Sequence, residues 1–93
     1  MYTTIRSYSG SELADVLATR ESDIREAIWA IAGFQAYYLI RTTDGDAVTV
    51  SVFDDQAGAE ESTREAAAWI KENLADMSVS PPQVTSGEVV FSF

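Results

Sequence analysis

The sequence contains no cysteine and no histidine, and it has only one lysine among its 93 residues. Without cysteine the chain forms no disulfide, offers no thiol nucleophile and builds no iron–sulfur or zinc-ribbon site. Without histidine it lacks the commonest metal ligand and the side chain that most often acts as a general base. The chemistry open to this chain is therefore that of carboxylates, hydroxyls, phenols, guanidinium groups and one lysine amine.

Positive charge is scarce throughout the sequence. Six Lys and Arg residues stand against 15 Asp and Glu, which gives a formal charge of −9. Such a charge repels nucleic-acid phosphates and anionic lipid headgroups, and no basic stripe offsets it. We therefore expect no nucleic-acid partner and no membrane partner. The acidity is most simply a solvated surface that keeps the protein in solution.

Long apolar runs are absent as well. The longest apolar stretch, AIWAIAGF, is far too short to span a bilayer. The first residues, MYTTIRSYSGSE, lack the apolar segment of a signal peptide, so we expect a cytoplasmic protein. Hydrophobic residues make up 46% of the chain and recur periodically, which indicates a single folded domain over residues 1–93.

The first third of the chain predicts a strand followed by a helix. Tyr2–Tyr8 is rich in β-branched and aromatic residues, as strands are. Ser9 and Glu12 stand at capping-box spacing and indicate the start of a helix, along which apolar residues recur every three or four positions. The polar run Thr19–Asp23 interrupts or kinks that helix, and Gly33 stands where a C′ glycine would end it.

The segment FQAYYLIRTTDGDAVTVSVF predicts a β-hairpin with a two-residue turn at Asp44-Gly45. Such a turn places Tyr37, Leu39, Val48, Val50 and Val52 on one face. The opposite face then holds Phe34, Ala36, Tyr38, Ile40, Thr49, Ser51 and Phe53. Both faces are apolar enough to need cover, whereas a hairpin at the surface of a small protein needs only one such face.

The remainder of the chain predicts a second helix and a last strand. Asp54 and Asp55 stand at N-cap positions, and Pro81-Pro82 prevents the helix from continuing. The adjacent carboxylates also invite a metal or acid–base interpretation, but no third ligand follows at metal spacing, so we predict caps and no metal. The composition of the final segment, GEVVFSF (87–93), predicts the last strand.

The predicted order of elements is β-α-β-β-α-β, which is the ferredoxin-like α+β fold. This fold has a four-stranded antiparallel sheet with both helices on one face. The other face stays bare, and monomers rarely leave a large apolar patch exposed. The simplest cover is a second copy of the same sheet, so we predict a homodimer.

Several short motifs resemble those of the dimeric α/β-barrel superfamily, and in particular antibiotic-biosynthesis-monooxygenase-like proteins. They are Gly33-Phe34 at the start of the second strand, VTVSVF ending in Phe53, an acidic helix cap, and an A..S...A..W....L helix. The resemblance implies a dimeric α/β barrel. That superfamily includes cofactor-independent monooxygenases, haem-degrading enzymes and muconolactone isomerases.

The resemblance also implies a ligand pocket between the sheet and the helices. An aromatic residue at the end of the third strand often lines that pocket, and Phe53 occupies this position. With hairpin parity and helix spacing, the implied substrate-binding residues are Arg6, Tyr38, Thr49, Ser51, Phe53 and Trp69. The simpler alternatives are ordinary strand hydroxyls, core packing for Trp69, and ion pairs for Arg6 and Arg41.

The sequence departs from the family's known sites, and no catalytic residue can be carried over. Haem-degrading relatives use a histidine ligand, which is absent, so we predict no cofactor. Monooxygenase-type relatives resemble one another in a first-strand asparagine, whereas the only asparagine here, Asn73, lies late in the second predicted helix. Two functions stay open. One is a pocket for a small aromatic ligand, with cofactor-independent oxygenation of a phenol or quinol as an alternative; the other is a non-enzymatic structural dimer with no ligand-sized cavity.

Overall fold

The computed structural model describes residues 1–10 and 12–93. One antiparallel sheet holds four strands in the order β2-β3-β1-β4. The strands are β1 (Tyr2–Tyr8), β2 (Phe34–Arg41), β3 (Ala47–Phe53) and β4 (Gln83–Glu88). The α-helices are α1 (Leu13–Ala18), α2 (Glu21–Trp29) and α3 (Gln56–Asn73), and a 3₁₀ turn (Ala75–Met77) follows α3. The helices pack on one face of the sheet, which confirms the predicted ferredoxin-like α+β fold.

The first helical region is two helices rather than one. The predicted interruption is confirmed, because α1 ends at Ala18 and α2 begins at Glu21. The predicted capping box is wrong: Glu12 itself is the N-cap residue of α1 and makes no side-chain capping hydrogen bond. Gly33 is not the C′ residue of α2, which ends at Trp29, but its φ of +83° turns the chain into β2.

The turn between β2 and β3 is longer than predicted. The Thr42 N–H donates to the Asp46 carbonyl at 2.9 Å, and the Gly45 N–H donates to the Thr42 carbonyl at 2.9 Å. The tip therefore consists of residues 43–45, with Gly45 in the left-handed region at φ +89°. A left-handed glycine suits this turn as well as the two-residue one.

The longer turn places most β2 side chains on the opposite face from the one predicted. Tyr37 pairs with Ser51 and therefore shares the helix side of the sheet, whereas Tyr38 lies on the outer face and is 58% exposed. The prediction that Tyr38 and Ser51 share a face is wrong, because a shift of one residue reverses the two faces. Phe34 keeps its predicted face because a bulge intervenes between Phe34 and Ala36.

The long helix α3 begins where the sequence predicts. The Asp55 carboxylate accepts a hydrogen bond from the Gly58 N–H at 3.1 Å, as an N-cap should. Asp54 instead accepts a hydrogen bond from the Gln35 side-chain amide. Both aspartates therefore have structural partners, and the predicted capping role of Asp55 is confirmed.

The last strand lies earlier in the chain than predicted. β4 is Gln83–Glu88, and the apolar residues Val90, Phe91 and Phe93 follow it in exposed positions. β4 is an edge strand with most of its residues exposed on both faces, so a polar sequence suits it. The apolar composition of the final segment therefore misled the prediction.

The two faces of the sheet differ sharply in character. The helix side holds the buried strand residues Thr4, Arg6, Tyr8, Ala47, Thr49, Ser51 and Phe53. The outer side carries an apolar row made of Ile5, Ala36, Tyr38, Ile40, Val48, Val50 and Val52. No helix within the described residues covers this row, which we call the outer face.

Candidate functional site

Arg6 is the largest fully buried side chain in the described part of the structure, at 1% exposure. Its Nε donates to Thr49 Oγ1 at 3.2 Å and its Nη2 to Ser51 Oγ at 2.8 Å. Its Nη1 donates to Ser62 Oγ and Thr63 Oγ1, both at 3.2 Å. These four acceptors are neutral hydroxyls. The guanidinium is therefore hydrogen-bonded without being neutralised.

Helix α3 fixes two of these hydroxyls as acceptors. Ser62 Oγ donates its own proton to the Ala59 carbonyl at 2.7 Å, and Thr63 Oγ1 lies 3.5 Å from the same oxygen. Hydroxyls that bond back to their own helix in this way present lone pairs outward. Small β-branched and serine side chains thus leave room for the long Arg6 side chain between α3 and the sheet.

Two phenols lie close to this buried charge. Burial raises the pKa of the Tyr8 hydroxyl, and burial likewise raises the pKa of the Tyr37 hydroxyl, while the Arg6 charge opposes the shift in both cases. Both phenols therefore stay protonated at neutral pH and can donate hydrogen bonds. The centre formed by Arg6, Tyr8 and Tyr37 is positively charged and rich in donors.

The structure brings three of the predicted site residues together and separates the other three. Arg6, Thr49 and Ser51 meet in the hydrogen-bond network described above. The predicted ion pair of Arg6 is not seen among the residues that the structure describes, although Arg41 does pair with Asp15.

Phe53 and Trp69 pack against neighbouring side chains and do not line a ligand-sized pocket. Phe53 is 0% exposed, and its ring meets that of Phe34 edge-on at 5.9 Å between centroids. Gly58 lies directly against it, since a Cβ at that position would come within 2.9 Å of Phe53 Cδ2. Trp69 borders a gap of only about 20 Å³ between α2 and α3. The Arg20 guanidinium lies over the Trp69 ring. The space around Phe53 and Trp69 is therefore filled.

A larger opening lies beside this filled region, between α1, α2 and β2. This α2–β2 cleft has a volume of about 430 Å³, which is within the range of roughly 300–1,000 Å³ typical of small-molecule sites. Its walls are mainly apolar and include Ile24, Ile28, Trp29, Phe34, Tyr37 and Leu39. Glu21 and Arg25 form an ion pair at its rim.

Tyr37 connects the α2–β2 cleft with the buried charge. It lines the cleft and also, together with Thr49, the narrow gap that leads toward Arg6. Sequence reasoning missed this residue because the predicted turn put it on the outer face. It also missed Trp29, which the helical spacing did not distinguish from its neighbours. A three-residue turn at residues 43–45, in place of the predicted two-residue turn at Asp44-Gly45, would have placed Tyr37 on the helix side of the sheet.

Two further site types find no support in residues 1–10 and 12–93. No group of three or more carboxylate, histidine or cysteine side chains there is arranged to hold a metal ion. No helix within those ranges combines the length and apolar character needed to cross a membrane.

Several solved structures share this fold. A mutant of MhuD with two manganese protoporphyrin IX molecules bound per active site is 16% identical, with a TM-score of 0.77 over 100% of this chain and 98% of that one. SnoaB from Streptomyces nogalater, a cofactor-independent oxygenase, is 14% identical, with a TM-score of 0.69 over 98% and 94% of the two chains.

A third similar structure contains a bound ligand. It is the monooxygenase from the gene ActVA-Orf6 of Streptomyces coelicolor in complex with nanaomycin D, which is 17% identical, with a TM-score of 0.67 over 98% and 92% of the two chains. The sequence matches no protein-family model and no curated protein. At these identities the similarity shows the fold alone. It is the fold implied by the motifs described in the sequence.

Proposed function

We propose that this chain, which has the fold of antibiotic-biosynthesis-monooxygenase-like proteins of the dimeric α/β-barrel superfamily, binds a small aromatic molecule in the α2–β2 cleft. The observation that carries this proposal is a cleft of about 430 Å³ whose apolar walls surround one phenol. Trp29 and Phe34 lie stacked at 6.1 Å and offer flat faces to a ring system. The bound porphyrin of MhuD and the nanaomycin D of ActVA-Orf6 support the same ligand class.

The ligand carries a carbonyl or phenolic oxygen directed at Tyr37. Burial keeps this phenol protonated, so it donates a hydrogen bond. The charge of Arg6 lies behind it and favours an oxygen with negative character. An aromatic ring with one such oxygen matches both the walls and the polar end of the cleft.

Cofactor-independent oxygenation is a second candidate function that this electrostatic arrangement favours. A phenolic substrate that loses its proton can itself reduce dioxygen, with one oxygen atom entering the product and the other leaving as water. The protein then needs only to orient the substrate and stabilise its anion, which is the role open to Tyr37 and Arg6. The similarity to SnoaB, a cofactor-independent oxygenase, supports this candidate.

The functional unit is a homodimer formed through the outer face. Tyr38 is 58% exposed and Ile40 is 44% exposed on that face, and the valines of β3 lie between them and β1. An apolar face of this kind is rare on monomers and is covered by a second copy in the simplest symmetric assembly.

Calorimetric titration with 2-naphthol, a neutral aromatic probe with one hydroxyl, tests the binding proposal. Ala18 ends α1 and lines the cleft, so Ala18→Trp should fill the cleft and abolish binding. Ala68 is exposed on α3 and lines neither the cleft nor the gap beside it, so Ala68→Trp is the matched control and should bind normally.

Two neighbouring tyrosines provide a second matched pair. Tyr37→Phe should weaken 2-naphthol binding about tenfold, because a buried hydrogen bond is lost. Tyr38→Phe should change nothing, because Tyr38 lies on the opposite face. Equal affinity in all variants, or no saturable binding, would refute the proposed site. Oxygen consumption with hydroquinones, measured on the same variants, tests the oxygenase candidate separately.

A further inference from the structure

We infer that the chain has a second binding site, for an amphipathic carboxylate, in a cavity of about 440 Å³ between α3, the following segment and strands β1 and β4. We call it the α3–β4 cavity. It shares no lining residue with the α2–β2 cleft, so it is a separate site. Its volume again falls within the range of roughly 300–1,000 Å³ found for small-molecule sites.

The charge of its walls sets this cavity apart from the rest of the protein. The whole chain has 15 acidic residues against six basic ones. The lining of the α3–β4 cavity nevertheless contains Arg6 and Lys71 and no aspartate or glutamate. A pocket that gathers two cations and excludes carboxylates in so acidic a protein has a positive local potential, which attracts anions.

The pairing of the basic residues points the same way. Arg20, Arg25, Arg41 and Arg64 each form an ion pair with a carboxylate. Among the residues that the structure describes, the cavity's two cations are the basic side chains without such a partner. The chain therefore pairs the arginines that face solvent with carboxylates and leaves the charges of Arg6 and Lys71 without such a counter-charge.

Arg6 gives the cavity a charged wall that is already desolvated. It is 1% exposed, and its partners are hydroxyl groups, so its charge has been removed from water without compensation by an anion. Taking an ion out of water is costly unless an opposite charge accompanies it. An anionic ligand in the adjoining cavity recovers part of this cost on binding. Lys71, which is exposed, supplies a second cation at the mouth.

The rest of the cavity wall selects for an apolar body. Its aliphatic lining consists of Ile70 of α3, Leu74 directly after that helix, and Val79, Pro82 and Val84. The prolines limit the conformational freedom of the segment after α3, so this wall is comparatively rigid. A ligand with one carboxylate and a short hydrocarbon chain fits this cavity. Its negative charge meets the positive potential of Lys71 and of the buried Arg6, and its apolar body meets the aliphatic walls.

A matched pair of probes isolates the charge term. Hexanoate and hexan-1-ol have the same number of carbon atoms. Each is titrated into the isotopically labelled protein and followed by NMR at constant ionic strength. We expect hexanoate to bind about tenfold more tightly, because a charge-assisted contact is present only for the acid. The backbone amides of residues 74–80, 83 and 84 should shift, and those of the α2–β2 cleft should not.

Variants at the cavity mouth and wall complete the test without disturbing Arg6, which organises the core. Lys71→Gln should weaken hexanoate binding about threefold and leave hexan-1-ol unaffected, and Lys71→Arg should restore it. Ala67 lines the cavity, so Ala67→Trp should block both probes, whereas Ala68→Trp next to it should block neither. Equal affinity for acid and alcohol, shifts confined to the α2–β2 cleft, or no saturable binding would each overturn the inference.

Discussion

Gly58→Ala is predicted to destabilise the protein, although the same change usually stabilises a helix. Gly58 lies inside α3, where alanine is favoured over glycine by up to about 1 kcal/mol. The added Cβ, however, would lie 2.9 Å from Phe53 Cδ2 and 3.0 Å from the Ala32 carbonyl oxygen. Ordinary contacts between carbon atoms are about 3.5–4.0 Å.

Neither neighbour can move away easily. The Ala32 oxygen belongs to the backbone, and Phe53 is fully buried against the ring of Phe34. Overpacking of this kind costs about 1–3 kcal/mol. With a cost near the middle of that range, about 2 kcal/mol, and a gain in helix propensity of about 1 kcal/mol, Gly58→Ala should lose about 1 kcal/mol of unfolding free energy. For a domain of this size the melting temperature should fall by about 4–8 °C.

Urea denaturation measures this loss, and Gly87→Ala is the control. Gly87 lies in β4, where an added methyl group would have no atom within 4 Å, and its φ is not in the left-handed region. Gly87→Ala should therefore be neutral or stabilising by about 0.4–1 kcal/mol, through the lower entropy of the unfolded chain. Both variants are compared at one protein concentration, since dimerisation would make stability depend on it.

The outcome decides whether the space over Phe53 is closed. If Gly58→Ala is as stable as the unaltered protein or more stable, the gain in helix propensity equals or exceeds the packing cost, and the added methyl group is accommodated without a clash. That result would refute the close packing of Gly58 on Phe53 and would reopen the pocket that the sequence predicted around Phe53.

Three further predictions concern the cap, the buried phenols and the outer face. Asp55→Ala should cost about 1 kcal/mol in urea denaturation, and Asp55→Asn should retain most of the stability. Burial raises the folded-state pKa of Tyr8 and Tyr37, so their contribution to stability should be complete below the unfolded-state pKa of about 10 and be lost as pH rises through the folded-state pKa values. Ultraviolet titration of variants in which one tyrosine is replaced by Phe measures each pKa. Ordinary tyrosine pKa values for both residues would contradict the prediction. Val50→Lys should yield a monomer in sedimentation experiments while Ala68→Lys leaves the dimer intact, and an unaltered protein that is already monomeric would refute the dimer.

The sequence predicts the fold well because most of its element boundaries depend on local signals. The first strand, the interruption of the first helix and the Asp55 cap all follow from short patterns, and the structure confirms them. The position of the last strand does not follow from a local pattern, because an edge strand needs little apolar surface. Its polar residues therefore carry no strong signal, whereas the exposed apolar residues after it carry a misleading one.

The candidate site was harder to predict because it depends on one residue in the hairpin turn. Gly45 adopts a left-handed conformation in either turn type, so its presence does not fix the turn length. The difference of one residue decides whether Tyr37 or Tyr38 faces the helices. The local sequence is compatible with both turn lengths, and only the pairing of β2 with β3 distinguishes them.

The partners of Arg6 were also beyond sequence reasoning. Its hydroxyl acceptors come from β3 and α3, which are more than forty positions away in the chain. In so acidic a protein an ion pair was the simpler expectation. The packing of α3 onto β1 and β3 instead surrounds the guanidinium with small hydroxyl side chains, and no local pattern indicates this.

The most direct test of the account is to locate 2-naphthol on the protein by intermolecular NOEs. Binding in the α2–β2 cleft predicts NOEs from the naphthyl protons to the methyl groups of Ile24, Ile28 and Leu39, and their loss in Ala18→Trp. NOEs to the valine methyl groups of the outer face, or none under saturating conditions, would contradict the central claim that the α2–β2 cleft is a small-molecule site.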